Sequence, residues 1–188
     1  MSMLEINIKK HIDVFNGLIV HEKDLEAAIN LCTNALSNEK KLFICGNGGS
    51  ASDAQHLAAE FIGRYTKNRR PLAAICLNTD TSALTCISND FSYASVFERQ
   101  LRGLANIDDV FIVFSTSGMS ENIINSCKAA IELGLKVIGF LGKGGGDAAK
   151  YCDVIISIDS MSTANIQEAH IFMAHMLCGE IEKKMKLV

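Results

Sequence analysis

The sequence predicts an α/β fold: a five-stranded parallel sheet flanked by helices, preceded by a helical hairpin. Three observations predict it. Five short apolar runs, 42–45, 73–77, 110–114, 136–141 and 154–158, alternate with stretches of helical periodicity. Unbroken runs of this kind mark parallel strands covered on both faces. The two most polar glycine-bearing turns, Gly46–Ser50 and Ser115–Ser120, follow the first and third runs. In a flavodoxin-like order 2-1-3-4-5 that is where the strand order reverses and ligands bind. Finally, there are no repeats, low-complexity tracts or linkers, so one domain is expected over 1–188, with the hairpin at 1–37 and the α/β core and last helix at 38–188.

In chain order, Leu4, Ile8, Ile12, Phe15 and Ile19 keep helical spacing, as do Leu25, Ala28, Ile29, Cys32 and Leu36. These two helices precede the first strand and are not crossovers. Their apolar faces suit either a sister subunit or the chain's own sheet. His11 and His21 are expected at the surface without partners. After the first strand, Gly46, Gly48 and Gly49 permit a sharp turn, and Ser50 or Ser52 can cap the helix that follows to about residue 64. Thr79–Ser82 opens a short helix that Ser88-Asn89-Asp90 closes. An amphipathic helix spans 93–104, another 121–133. Gly142–Gly146 is a flexible turn, 148–151 a short helix, and the last helix spans about 163–186.

Composition narrows the function. The 188 residues, 48% hydrophobic, suffice for a sizeable core. A net charge of −3 with scattered Lys and Arg argues against nucleic acid. No run has membrane-spanning length and the first residues lack an apolar signal region, so a soluble cytoplasmic protein is expected. The seven cysteines are odd in number, without a C-x-x-C pair, and read as reduced core residues.

The chemistry concentrates at three places. Gly46-Asn47-Gly48-Gly49-Ser50-Ala51 fits a dinucleotide fingerprint. The acid wanted about 20 residues on for the ribose is missing; Thr66–Arg70 is basic and Asp80 comes too late. A helix N-terminus after a glycine turn suits a phosphate instead. Ser115-Thr116-Ser117-Gly118-Met119-Ser120 places four hydroxyls at a second helix start, more than capping needs, and forms a neutral anion cradle. His56 and Glu60, at i and i+4, share a helix face; such a pair can bind metal or supply a base, or be a surface contact. The last helix offers Asn165, Gln167, Glu168, His170 and His175. At about 100° per residue, Gln167 and His175 lie about 80° apart and Glu168 and His175 about 20°, so geometry alone pairs Glu168 with His175. A solvated stripe is the plain alternative.

These motifs, with Gln55-His56, Gly63-Arg64, Asn89-Asp90 and Ile166-Gln167-Glu168-Ala169-His170, resemble the phosphoheptose isomerases of the sugar isomerase (SIS) domain group over nearly the whole chain. The resemblance implies a single SIS domain in a zinc-dependent homotetramer. It implies interconversion of sedoheptulose 7-phosphate and D-glycero-D-manno-heptose 7-phosphate, the first step toward nucleotide-activated heptose. Carried over, the metal ligands fall on His56, Glu60, Gln167 and His175. The substrate contacts fall on Asn47, Gly48, Gly49, Ser50, Glu60, Arg64, Asn89, Asp90, Ser115, Thr116, Ser117, Ser120 and Gln167. Glu60 and His175 are the catalytic pair, with one Zn2+ per subunit. Asn165 stands where the family often has Arg, which alters a polar contact near the substrate and removes no metal ligand. Non-catalytic relatives that bind a phosphosugar or the replication initiator are the alternative; the presence of both Glu60 and His175 favours the enzyme.

Overall fold

The strands in the computed structural model, which describes residues 1–188, are β1 (Leu42–Gly46), β2 (Ala74–Cys76), β3 (Val110–Ser115), β4 (Lys136–Gly142) and β5 (Val154–Ile158). All pair in parallel, in the order β2-β1-β3-β4-β5. Every residue of β1 and β3 is buried, the consequence of layers on both faces. Successive residues point to opposite faces, so Leu42, Ile44, Ile112 and Phe114 join one core while Phe43, Cys45, Phe111 and Val113 join the other.

Seven α-helices surround the sheet: α1 (Met3–Gly17), α2 (Glu22–Ser37), α3 (Gly49–Ile62), α4 (Thr81–Asp90), α5 (Val96–Leu104), α6 (Glu121–Glu132) and α7 (Thr163–Lys184). α2, α3 and α7 cover the first face through Cys32, Leu57, Phe61, Met173 and Leu177; α5 and α6 cover the second through Phe97, Leu101, Ile123 and Cys127. Helix α2 therefore packs on the chain's own sheet and α7, whereas α1 buries no residue. All seven cysteines are free thiols, and no helix is long and apolar enough to cross a membrane.

Local corrections have tertiary causes. Neither Ser50 nor Ser52 caps α3. Gly48 is the N-cap, at φ 58° and ψ −124°, and the helix starts at Gly49; only glycine enters that region readily. The segments 93–95 and 147–151 are 3-10 turns. His11 and His21 are not without partners. His11 Nδ1 lies 2.8 Å from Glu168 Oε2, and the mostly buried His21 donates from Nε2 to the Ser157 carbonyl at 3.0 Å. Glu168 thus faces α1 rather than His175. The glycine turn 142–146 packs directly on the Ser115–Ser120 loop. A Cβ on Gly118 (φ 63°) would fall 1.8 Å from the Gly145 carbonyl oxygen, and the Ala148 N–H donates to the Gly118 carbonyl at 2.9 Å.

Candidate active site

The ends of β1 and β3 open into a cleft of about 260 Å³, at the switch point of the sheet. Asn47, Gly48, Gly49 and Ser50 form one wall, and Ser115, Thr116, Ser117 and Ser120 another. Thr163 and Gln167 of α7 complete the lining together with Phe114.

The hydroxyl wall is arranged for donation. Ser115 Oγ accepts the Gly118 N–H at 3.0 Å and Ser117 Oγ the Met119 N–H at 3.2 Å. Each keeps its own proton to give to an anion. Ser120 is the N-cap residue of α6 yet makes no side-chain capping bond, so its hydroxyl is not used in capping that helix. Helix starts at Gly49 and Glu121 turn their positive ends toward the same space. Lys143 donates to Thr163 Oγ1 at 3.4 Å and brings an ammonium to the rim.

Asn47 is held by its side chain. Its Nδ2 donates to Asn122 Oδ1 at 2.8 Å, and Asn122 Nδ2 donates back to Asn47 Oδ1 at 2.9 Å. The Tyr93 hydroxyl donates to the same oxygen at 2.9 Å. Two residues that the motifs do not single out, Tyr93 and the buried Asn122, therefore anchor the glycine turn. Across the cleft, Gly49 is required by close approach: a Cβ there would lie 2.4 Å from Gln167 Nε2.

Farther along α3 and α7, His56, Glu60 and His175 converge, their donor atoms all within 4.8 Å of one another. His56 Nε2 lies 3.1 Å from Glu60 Oε1 and 3.4 Å from His175 Nε2. Four ligands at about 2.0–2.1 Å from a tetrahedral metal stand about 3.3 Å apart, so two imidazole nitrogens and a carboxylate oxygen at these spacings fit a divalent cation. Partial burial, and then the neighbouring His56, hold the His175 pKa below the ordinary imidazole value against an upward pull from Glu60. A neutral ring is the form that binds metal. One turn before His56 on α3, Asp53 has a buried Oδ2 without a partner. Burial pushes its pKa up to about 6, against the opposing pull of His56.

Three other predicted residues lie outside the cleft lining. Arg64 is exposed just past α3, and Asn89 and Asp90 are exposed at the end of α4, where Asn89 Nδ2 donates to Asp90 Oδ1 at 2.8 Å. His170, on the same helix as Gln167, is fully buried and donates from Nε2 to the Leu141 carbonyl at 2.8 Å.

Several known proteins similar to this chain are phosphoheptose isomerases. The SIS domain family matches residues 13–142. A phosphoheptose isomerase of a Nitratiruptor species is 52% identical, covering 93% of this chain and 98% of its own. One from Campylobacter concisus is 43% identical over 98% of both. The structure of a phosphoheptose isomerase from Neisseria gonorrhoeae superposes with a TM-score of 0.91 at 38% identity, covering 96% of this chain and 97% of that one.

Proposed function

This chain belongs to the SIS domain family and, within it, to the phosphoheptose isomerases, and from that membership we propose how its cleft works. The substrate is a sugar phosphate, and the reaction interconverts sedoheptulose 7-phosphate and D-glycero-D-manno-heptose 7-phosphate through an enediol. The observation that carries the reading is that the cleft facing the neutral hydroxyl loop is lined by the first turns of α3 and α7, and the same two helices carry the His–Glu–His cluster farther along. The seven residue steps from Gly49 to His56 span about 10 Å along α3 at 1.5 Å per residue. That length is of the order of one extended sugar phosphate.

In this reading the Ser115–Ser120 hydroxyls and the two helix starts hold the phosphate. The backbone of Gly48 and Gly49 lets the chain approach closely, while Asn47 keeps the turn in place. Glu60 moves the proton between C1 and C2. His175 gives and takes the proton at the sugar oxygens from the other side. His56, Glu60 and His175 would hold zinc. Gln167, the fourth donor that the resemblance implies, lies two turns before His175 with its amide over Gly49, at the substrate end. Bound zinc supplies polarisation of the carbonyl and offsets charge developing on oxygen. We place the reaction in the cytoplasm and the chain in a homotetramer. Support for the latter is the exposed apolar residues Leu4, Ile8 and Ile12 of α1, with the exposed Ile19 lining one groove with Phe172 and Met176.

Purified protein incubated with sedoheptulose 7-phosphate, before and after chelation and zinc add-back, tests the reading. The expected result is aldoheptose phosphate formation that is lost on chelation and restored by zinc. Retained sugar binding with no conversion under any metal condition would overturn it in favour of a phosphosugar-binding protein.

A further inference from the structure

The helices that carry the cluster are joined by a buried ion pair that no part of the proposed mechanism uses. The side chains of Arg69 and Glu182 are 1% and 0% exposed, and Arg69 Nε donates to Glu182 Oε1 at 2.8 Å. Glu182 lies on α7, two turns beyond His175. The rest of the guanidinium serves α3. Its Nη2 donates to the Glu60 carbonyl at 2.7 Å, and its Nη1 to the carbonyls of Phe61 at 2.7 Å and Gly63 at 3.2 Å. Glu60 and Phe61 belong to the last turn of α3, whose carbonyls have no partner within the helix. One planar fork therefore caps the helix bearing His56 and Glu60 and ties it to the helix bearing His175.

The same carboxylate fixes a third side chain. Glu182 accepts the backbone N–H of Tyr65 at 3.1 Å and of Thr66 at 3.3 Å. The Tyr65 ring then stacks on His175, with centroids 5.5 Å apart and planes at 24°. Room for it comes from Gly179, one turn after His175, where a Cβ would stand 3.1 Å from Tyr65 Cε1. Glycine inside a helix is less stable than alanine, and the tyrosine ring accounts for it here. A buried ion pair often contributes little net stability compared with apolar packing. A fork that satisfies four backbone carbonyls, that of Arg70 at 3.0 Å among them, and a carboxylate instead fixes geometry.

We propose that Arg69, Glu182 and Tyr65 are positioning residues: they set the separation of α3 and α7 and the orientation of the His175 ring, so that His56, Glu60 and His175 converge. The proposal rests on reading that cluster as the metal and proton-transfer centre. None of the three lines the cleft that would hold the phosphate, so substrate affinity and turnover respond differently to their loss.

Zinc affinity, by competition with a chromophoric chelator, and kcat and KM for sedoheptulose 7-phosphate are measured on the full chain. Arg69→Lys keeps the charge but has a single ammonium in place of the fork. It is expected to weaken zinc binding and lower kcat by about tenfold or more each, the range seen when residues supporting metal ligands are lost, with KM within about twofold. Tyr65→Ala leaves the ion pair intact. It is expected to lower both in the same direction by a few-fold, and Tyr65→Phe to restore them. Should Arg69→Lys not fold, the two Tyr65 variants decide. Folded variants with wild-type zinc affinity and kcat, even at lowered Tm, overturn the positioning role. A wild-type protein that neither binds zinc nor converts the sugar overturns the underlying functional reading instead, a result separable from the first.

Discussion

Two residues of α7 and α3 show how one helix pair holds side chains of opposite character. Glu60 stands in the open cluster with its carboxylate 3.1 Å from His56. Glu60→Gln keeps the shape and removes the proposed base. Turnover is expected to fall by about 10²–10⁴-fold, while sugar phosphate binding, read by calorimetry, stays measurable; near-normal turnover would remove Glu60 from the mechanism. His170, by contrast, is sealed in the core against Phe114 and Phe140. Burial, opposed by the bond to the Leu141 carbonyl, holds its pKa down to about 4 from 6.5. The unfolded chain thus takes up a proton near pH 6.5 that the folded chain refuses. Stability is full above that pH and is lost as the pH falls toward 4, by about 3 kcal/mol at about 1.4 kcal/mol per unit. His170→Gln keeps a donor to Leu141 without the titration, so urea unfolding between pH 7 and 4 should show a shallower decline. Equal slopes for the two proteins would assign the decline to other groups.

At the scale of elements, the cleft depends on two loops meeting. The hydroxyl loop after β3 rests on the glycine loop after β4, and the contact is so close that Gly118 cannot carry a side chain. Gly118→Ala combines that clash with a φ of 63° and is expected to cost more than about 3 kcal/mol. At about 2–4 °C per kcal/mol for a chain of this size, Tm should fall by roughly 10 °C. Gly144, at φ 81° with nothing within 4 Å of an added Cβ, offers the control. Gly144→Ala carries only the backbone term, about 1–2 kcal/mol, and a drop of a few degrees. Comparable losses for both would show that the loops do not bear on each other in solution. Asn47 and Asn122 act similarly: their reciprocal amide pair fastens the first glycine turn to α6, across 75 residues of sequence.

For the whole molecule, the unequal use of the hairpin is the main feature. α2 is built into the core, whereas α1 has no fully buried residue, packs on the core only through the partly buried Val14 and Phe15, and shows Leu4, Ile8 and Ile12 at 65%, 49% and 50% exposure. An apolar face of this kind beside Phe172 and Met176 suits subunit contact. Light scattering of the wild type is expected to give the mass of four chains. Ile8→Glu combined with Ile12→Glu should give a smaller species that keeps its helical circular dichroism. A four-chain mass retained by this variant would place the interface elsewhere.

The parallel sheet, its order and its flanking helices were legible because each rests on local pattern: apolar runs of strand length, helical spacing between them, and polar turns at the switch point. The hydroxyl loop and the His56–Glu60 spacing were legible for the same reason, since neighbours on a turn or a helix face are fixed by backbone geometry. The pairing of Glu168 with His11 rather than His175, the fork of Arg69 on Glu182, and the Gly118–Gly145 contact were decided by tertiary structure alone. Each joins residues that sequence spacing leaves unrelated. Helix angle limits which side chains share a face, but which of them meets a partner depends on the neighbouring element packed there.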